Sequence, residues 1–363
     1  MSTTLSTYLK ALRINQKMKM REVVELTGID QGLISKFEKG VRVPNDEQLN
    51  DLAKIYKVDF NELKKYQLVE KVYKILADEP MGYEAWIAAE PRLEYLASKT
   101  LNDQLNISKE IESALRQIDT LKVELNALKN PDELHLSKIQ EHFALRYTYE
   151  SNKIEGNTLT LSETMMVVKE GITISGKSVN EHLEAINHSE AIELMYDLVN
   201  TKVAFSEWVL KQFHGLILRG INRANAGRYR SVNVMISGAE HIPPEPYMLG
   251  KLMEDYFIFY NNVHTALHPV LLAAEMHERL VTIHPFIDGN GRTSRLVMNL
   301  ILAMHGYPMA ILKGDQESRF RYYKALESVQ MHGEPEPFYL LVIEAVTHTL
   351  EERIRLFRPY EET

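Results

Sequence analysis

His284-Pro285-Phe286-Ile287-Asp288-Gly289-Asn290-Gly291-Arg292-Thr293-Ser294-Arg295 is the stretch from which the rest of the chain can be read. Its flanks predict a loop that opens a helix. Upstream, Pro269 to Ile283 is mostly apolar, with Pro269 at a favoured first-turn position. Downstream, Leu296, Val297, Leu300, Ile301 and Met304 recur at helical spacing, and Gly306 and Pro308 mark the stop. Gly289 and Gly291 let the backbone turn and approach a ligand closely. The free N–H groups of the helix start, with the positive end of its dipole, then face an anion. Asp288 offers a hard oxygen suited to Mg²⁺, which prefers one or two carboxylates plus phosphate oxygens. Arg292 and Arg295, three apart, lie on one side of the new helix, and each can fork onto phosphate. A base, a carboxylate, a glycine-rich turn and two arginines are the equipment for a metal-bound polyphosphate.

The string resembles the signature of the Fic family, His-Pro-Phe-x-Asp/Glu-Gly-Asn-Gly-Arg-x-x-Arg, at every fixed position. The family transfers AMP from ATP to a hydroxyl side chain of a target protein. A sister group of Doc-type kinases has Lys where this chain has Gly291, so the resemblance favours AMP transfer. It implies that His284 is the general base and Asp288 the Mg²⁺ ligand. It makes Gly289, Asn290 and Gly291 the anion cradle, and Arg292 and Arg295 the polyphosphate contacts. The implied partners are ATP·Mg²⁺ and a target bearing a Ser, Thr or Tyr hydroxyl. The chemistry agrees independently, since an imidazole with a pKa of about 6.5 can accept a proton near neutral pH.

Three further strings bear on that site. Ser151-Asn152-Lys153-Ile154-Glu155-Gly156 places Ser151 and Glu155 on one helix face, ended by Gly156. A surface turn would explain it locally. It resembles the family's inhibitory motif, Ser/Thr-x-x-x-Glu-Gly/Asn, and implies that Glu155 pairs with Arg295 where a γ-phosphate would bind. Val232, Val234 and Ile236 alternate with Asn233 and Met235, and Ser237-Gly238 is a turn signal, predicting a small β-hairpin. That resembles the family's flap, which aligns a target segment; a surface hairpin without a role is the plainer alternative. Tyr322 and Tyr323 resemble aromatics near the adenosine, though a Tyr pair on a helix is more often core. His264, His268 and His277 have no metal-site spacing and are expected to be structural.

The chain has 363 residues, enough for two or three domains, with 42 basic and 50 acidic residues and net charge −8. No polybasic or acidic run implies a bulk electrostatic partner. The absence of Cys excludes disulfides and thiolate chemistry and suits a reducing cytoplasm. The opening Met1 to Lys10 lacks the pattern of a signal peptide. No apolar run reaches the ~18 residues of a membrane helix, so no membrane partner is expected.

Residues 1–66 predict a helical bundle. Asp30 caps a helix from Gln31 to Glu38, preceded by the Thr27-Gly28 turn. The order from Thr27 to Gly40 resembles the phage-repressor-like (XRE) helix-turn-helix family. That resemblance implies duplex DNA as partner, with Gln31, Gly32 and Lys36 at base edges. The unit carries 12 basic and 9 acidic residues, a mild net +3, and Asp30 and Glu38 sit beside the presumed contacts. A bundle used for dimerisation or docking is the alternative. Residues 67–135 are expected to be helical. Leu101, Leu105, Ile111, Leu115, Ile118, Leu121, Leu125 and Leu128 make an amphipathic helix, either a coiled-coil hairpin or a helix packed on the catalytic domain. Residues 136–363 form the catalytic domain, with the inhibitory helix near 145–156. The expected fold is all-α with one small hairpin. The expected protein is an autoinhibited, homodimeric adenylyltransferase with a DNA-binding appendage. Removal of AMP, or a transcription regulator whose Fic unit senses nucleotide, are the alternatives.

Overall fold

A computed structural model describes residues 4–77, 79–89, 107–128, 131–236 and 238–358. Among these the regular elements are helices, with no strand, and the chain divides into two compact units, 1–94 and 95–363. No helix among the described residues is long and apolar enough to cross a membrane.

The first unit is built from helices Leu5–Asn15, Met20–Thr27, Gln31–Glu38, Asp46–Tyr56 and Phe60–Leu76. Leu5, Leu9, Val23, Ile34, Phe37, Leu49, Leu52 and Leu63 form its core. Asp30 caps the third helix, its Oδ1 accepting from Gly32 N at 2.8 Å and Leu33 N at 3.2 Å. Gln31, Gly32 and Lys36 are exposed. Glu38 is neutralised by Arg13 at 2.6 Å and only 5% of its side chain is exposed, so it opposes an anionic partner less than its sequence position suggests. The unit's last helix, Phe60–Leu76, runs on past residue 66, and the fully buried Gln67 amide donates to Pro44 O at 2.7 Å. A boundary there would cut a helix and strip a core contact.

The second unit is organised on two helices, Pro269–Ile283 and Asn290–Met304, with the 284–289 loop between them. Both are apolar nearly all round and buried, as a central pair must be. Helix Glu133–Ile154, which carries Ser151, and helix Val179–Asn200 cover one side. Helix Lys109–Ala127 buries Ile111, Leu115, Ile118 and Leu125 and packs on Glu336–Phe357, so it belongs to this unit's core rather than to a separate coiled-coil hairpin. Leu101 and Leu105 lie outside the described residues.

The expected β-hairpin is not formed by Val232, Val234 and Ile236. Their backbone is irregular, Val232 is half exposed and Met235 is 92% exposed. Period-two alternation reports which side a residue faces, whereas a strand also needs a ladder partner. Here Val232 O and Pro244 O instead accept from the guanidinium of Arg230. Ser237, in the predicted turn, lies outside the described residues.

Candidate active site

His284 closes helix Pro269–Ile283 in the left-handed conformation, φ 50°, rare for a residue other than glycine. Pro285 forbids continuation of the helix. The Nδ1 of His284 lies 3.2 Å from Val281 O. A carbonyl can only accept, so Nδ1 carries the proton and Nε2 is left as a base. Burial pushes the imidazole down to about 4, with the nearby Arg230 adding to the effect, so the ring is neutral at pH 7.

The loop is held by its own side chains. Asn290 accepts from Phe286 N at 2.9 Å and donates to Phe286 O at 2.9 Å. Its amide is thereby spent, and what it offers a ligand is its backbone N–H. Phe286, fully buried, stacks on His214 at 3.6 Å between centroids. His214 accepts from Gly227 N at 2.9 Å through Nδ1, so its Nε2 carries the proton and donates to Asp288 O at 3.0 Å. Gly289, at φ 74°, opens the next helix; a Cβ there would meet Ile217 at 3.1 Å. The N–H groups of Asn290, Gly291 and Arg292 then point out of the helix start without intrahelical partners.

Both arginines of the motif are buried and each faces a carboxylate. Arg295 Nη2 donates to Glu155 Oε1 at 2.7 Å and to Ser151 O at 2.9 Å, and its Nε donates to Ser151 Oγ at 3.0 Å. Its side chain is 1% exposed and that of Glu155 32%. Burial pushes the Glu155 carboxyl up, but the charges of Arg295 and Arg292 outweigh it and hold the group below the usual range. Arg292 Nη1 lies 3.0 Å from Glu184 Oε1, and neither its Nε nor its Nη1 has an aligned hydrogen bond. Gly291 is what allows the Glu155 contact, because a Cβ there would stand 2.3 Å from Glu155 Oε1. Gly156, at φ 98°, then turns the chain away.

Tyr322 and Tyr323 stand at this contact. Tyr322, 2% exposed, accepts from Arg295 at 3.5 Å and donates to His277 Nε2 at 3.1 Å. Tyr323 donates to Ile154 O at 3.2 Å and so holds the end of helix Glu133–Ile154. His264 bonds only backbone carbonyls, and His268 faces Asp119 and Tyr307.

Asp288 has a half-exposed side chain, and its Oδ1 accepts from Gly289 N at 2.6 Å. Among the described residues no three His, Asp or Glu side chains converge as a metal cage. One outward carboxylate beside an anion cradle fits Mg²⁺, which takes few protein ligands and completes its shell with phosphate oxygens and water. The loop, the arginines, Ser151, Glu155, Gly156, Tyr322 and Tyr323 thus form one cluster. Sequence reasoning missed His214, Glu184 and Arg230. Gln31, Gly32 and Lys36 belong to the other unit.

Fold and site define an α-helical domain with unpartnered N–H groups at a helix start beside a neutral histidine, preceded by a helix-turn-helix unit. Residues 204–302 match the Fic/DOC family and residues 8–67 a helix-turn-helix domain, so the chain carries a Fic domain and, N-terminal to it, a helix-turn-helix domain. The protein adenylyltransferase Fic of Drosophila persimilis is 33% identical over 242 residues, 66% of this chain and 46% of that protein. The chain spans about half the length of the curated relatives it matches. Among solved structures, a variant of Fic-1 from C. elegans is 27% identical, with TM-score 0.61, over 86% of this chain and 88% of that one. A Fic domain containing signaling protein from Bacteroides thetaiotaomicron is 26% identical, with TM-score 0.60, over 68% of this chain and 97% of that one.

Proposed function

We propose that the chain transfers AMP from ATP to a Ser, Thr or Tyr hydroxyl of a target protein, and that Glu155 restrains the transfer. His284 Nε2 takes the hydroxyl proton as the oxygen attacks the α-phosphorus, the bond to the β-phosphate oxygen breaks and pyrophosphate leaves. The helix-start N–H groups and Arg292 hold the phosphates, and Arg295 receives the γ-phosphate. Mg²⁺, held by Asp288, would neutralise charge on the phosphates. The target segment docks along Val232, Val234 and Ile236, whose backbone is in no ladder; Val232 O and Ile236 O already accept from Arg230 and Ala239 N, which leaves the N–H groups and Val234 O to pair with an extended chain.

The observation that carries the reading is the Glu155–Arg295 ion pair over Gly291. The carboxylate stands where a phosphate oxygen would, and a buried arginine keeps one anionic partner or the other. Glu155→Gly should raise incorporation of label from α-phosphate-labelled ATP into the chain itself or into lysate proteins by at least about tenfold, as loss of roughly 1.4 kcal/mol or more of competing contact requires. Equal labelling of the two proteins would refute the restraint, and label entering from the γ-phosphate would make the chain a kinase. The N-terminal unit, with Gln31, Gly32 and Lys36 exposed on a capped helix, binds duplex DNA in this proposal, two copies reading half-sites about one helical turn apart.

A further inference from the structure

Arg230 ties the backbone on both sides of it to the loop that follows His284. Arg230 is 4% exposed. Its backbone N–H donates to Pro285 O at 2.9 Å, and its Nε to His284 O at 2.9 Å. Nη1 donates to Val232 O at 3.0 Å and Nη2 to Pro244 O at 2.5 Å. Burial alone shifts its titration, with no carboxylate acting on it among the described residues. A buried guanidinium solvated by carbonyls is worth its desolvation only where the geometry it enforces matters. The geometry enforced here is the peptide after His284, the residue held at φ 50°.

We infer that Arg230 is a positioning residue, which locks His284 in its proton-accepting pose and ties it to the segment that receives the target. The inference rests on the proposal that His284 is the base. A second tie supports it: His241 Nε2 lies 2.9 Å from Thr282 O, so the same segment is also pinned two residues before the histidine. The fixed positive charge of Arg230 disfavours a second charge on the imidazole, and His241 acts in the same sense. Glu155, at the end of the inhibitory-motif helix, opposes them. Displacement of Glu155 therefore removes a charge that favours the imidazolium and leaves burial, with Arg230 and His241 beside it, to keep His284 neutral.

The test uses the full chain carrying Glu155→Gly. Arg230→Lys keeps the charge and loses the fork; Arg230→Gln loses both. Both should lower the turnover number for AMP transfer on the order of 100-fold, the effect of a base displaced by about 1 Å. ATP affinity should stay within about twofold, because Arg230 does not face the nucleotide. The ring titration of His284 followed by NMR, assigned with His284→Ala, should move upward in Arg230→Gln and stay in place in Arg230→Lys. Undiminished transfer in either variant, or an unmoved titration in Arg230→Gln, overturns the inference. Collapse of ATP affinity together with transfer would make Arg230 a support of the fold and also overturn it. Should the Glu155→Gly chain with Arg230 intact transfer no AMP, the functional proposal fails, and the NMR titration alone decides whether Arg230 governs His284.

Discussion

At His284 a strained backbone and a hydrogen bond to Val281 O together select one tautomer and one direction for the free nitrogen. In the Glu155→Gly background, His284→Ala should abolish AMP transfer and leave ATP·Mg²⁺ affinity nearly unchanged, since the base acts on the hydroxyl. Large loss of nucleotide binding by calorimetry would instead make the residue structural. The sign of the pH dependence follows from the depressed affinity of the ring. Only the neutral form accepts a proton, and the imidazole charges only as pH falls toward about 4. Transfer efficiency should therefore be flat from about pH 7.5 to about 5.5, where an ordinary histidine would titrate. Removing Glu155 deletes a neighbour that raises the pKa, which shifts the fall further into acid. An acid limb near pH 6.5 in Glu155→Gly would contradict the burial described for this ring.

The helix Glu133–Ile154 delivers Glu155, and a separate loop sets its position. Gly314 N donates to Glu150 Oε2 at 2.7 Å, and a Cβ on Gly314 would stand 2.8 Å from Lys153 Cβ and 3.0 Å from Glu150 O. The loop can lie this close only as glycine, although its backbone is not left-handed. Gly314→Val should push the helix end outward and raise AMP transfer of the otherwise unaltered chain about tenfold, the equivalent of roughly 1.4 kcal/mol of overpacking. Unchanged labelling, under conditions where Glu155→Gly labels strongly, would show that the loop does not hold the inhibitory contact. Nothing local in the sequence marks Gly314, because its reason for being glycine is a helix whose Glu150 lies 164 positions away in the chain. The same holds for His214, Glu184 and Arg230, which act on backbone carbonyls or charges far off in sequence. The 284–295 loop was legible because turn, cap and anion cradle are local demands met by adjacent residues. The contact of Glu155 with Arg295 spans 140 positions and was reachable only through resemblance. The expected hairpin failed because alternation at 232–236 says nothing about where a partner strand lies.

For the whole molecule, the two units imply two kinds of partner, each with its own measurement. Lys36→Ala in the full chain should weaken duplex binding by ~1–3 kcal/mol and relax selection at one base pair. Selection from a random duplex library at moderate salt should return a palindrome with half-sites about one helical turn apart. An unenriched pool with no salt dependence would leave the N-terminal unit as a protein-docking bundle.

Glu155 and Arg295 belong to one covalent chain, and that has a kinetic meaning. A tethered carboxylate presents itself to its arginine at an effective concentration on the order of millimolar or above, whatever the amount of protein in solution. Dilution cannot loosen the pair, and a tenfold rise in nucleotide shifts the competition by only about 1.4 kcal/mol. In the proposed restraint, ATP supply acts on this site only in proportion to its concentration. Under the same proposal, a change at Gly314 or at the Tyr323 anchor would alter the local concentration itself, a lever independent of the amount of nucleotide.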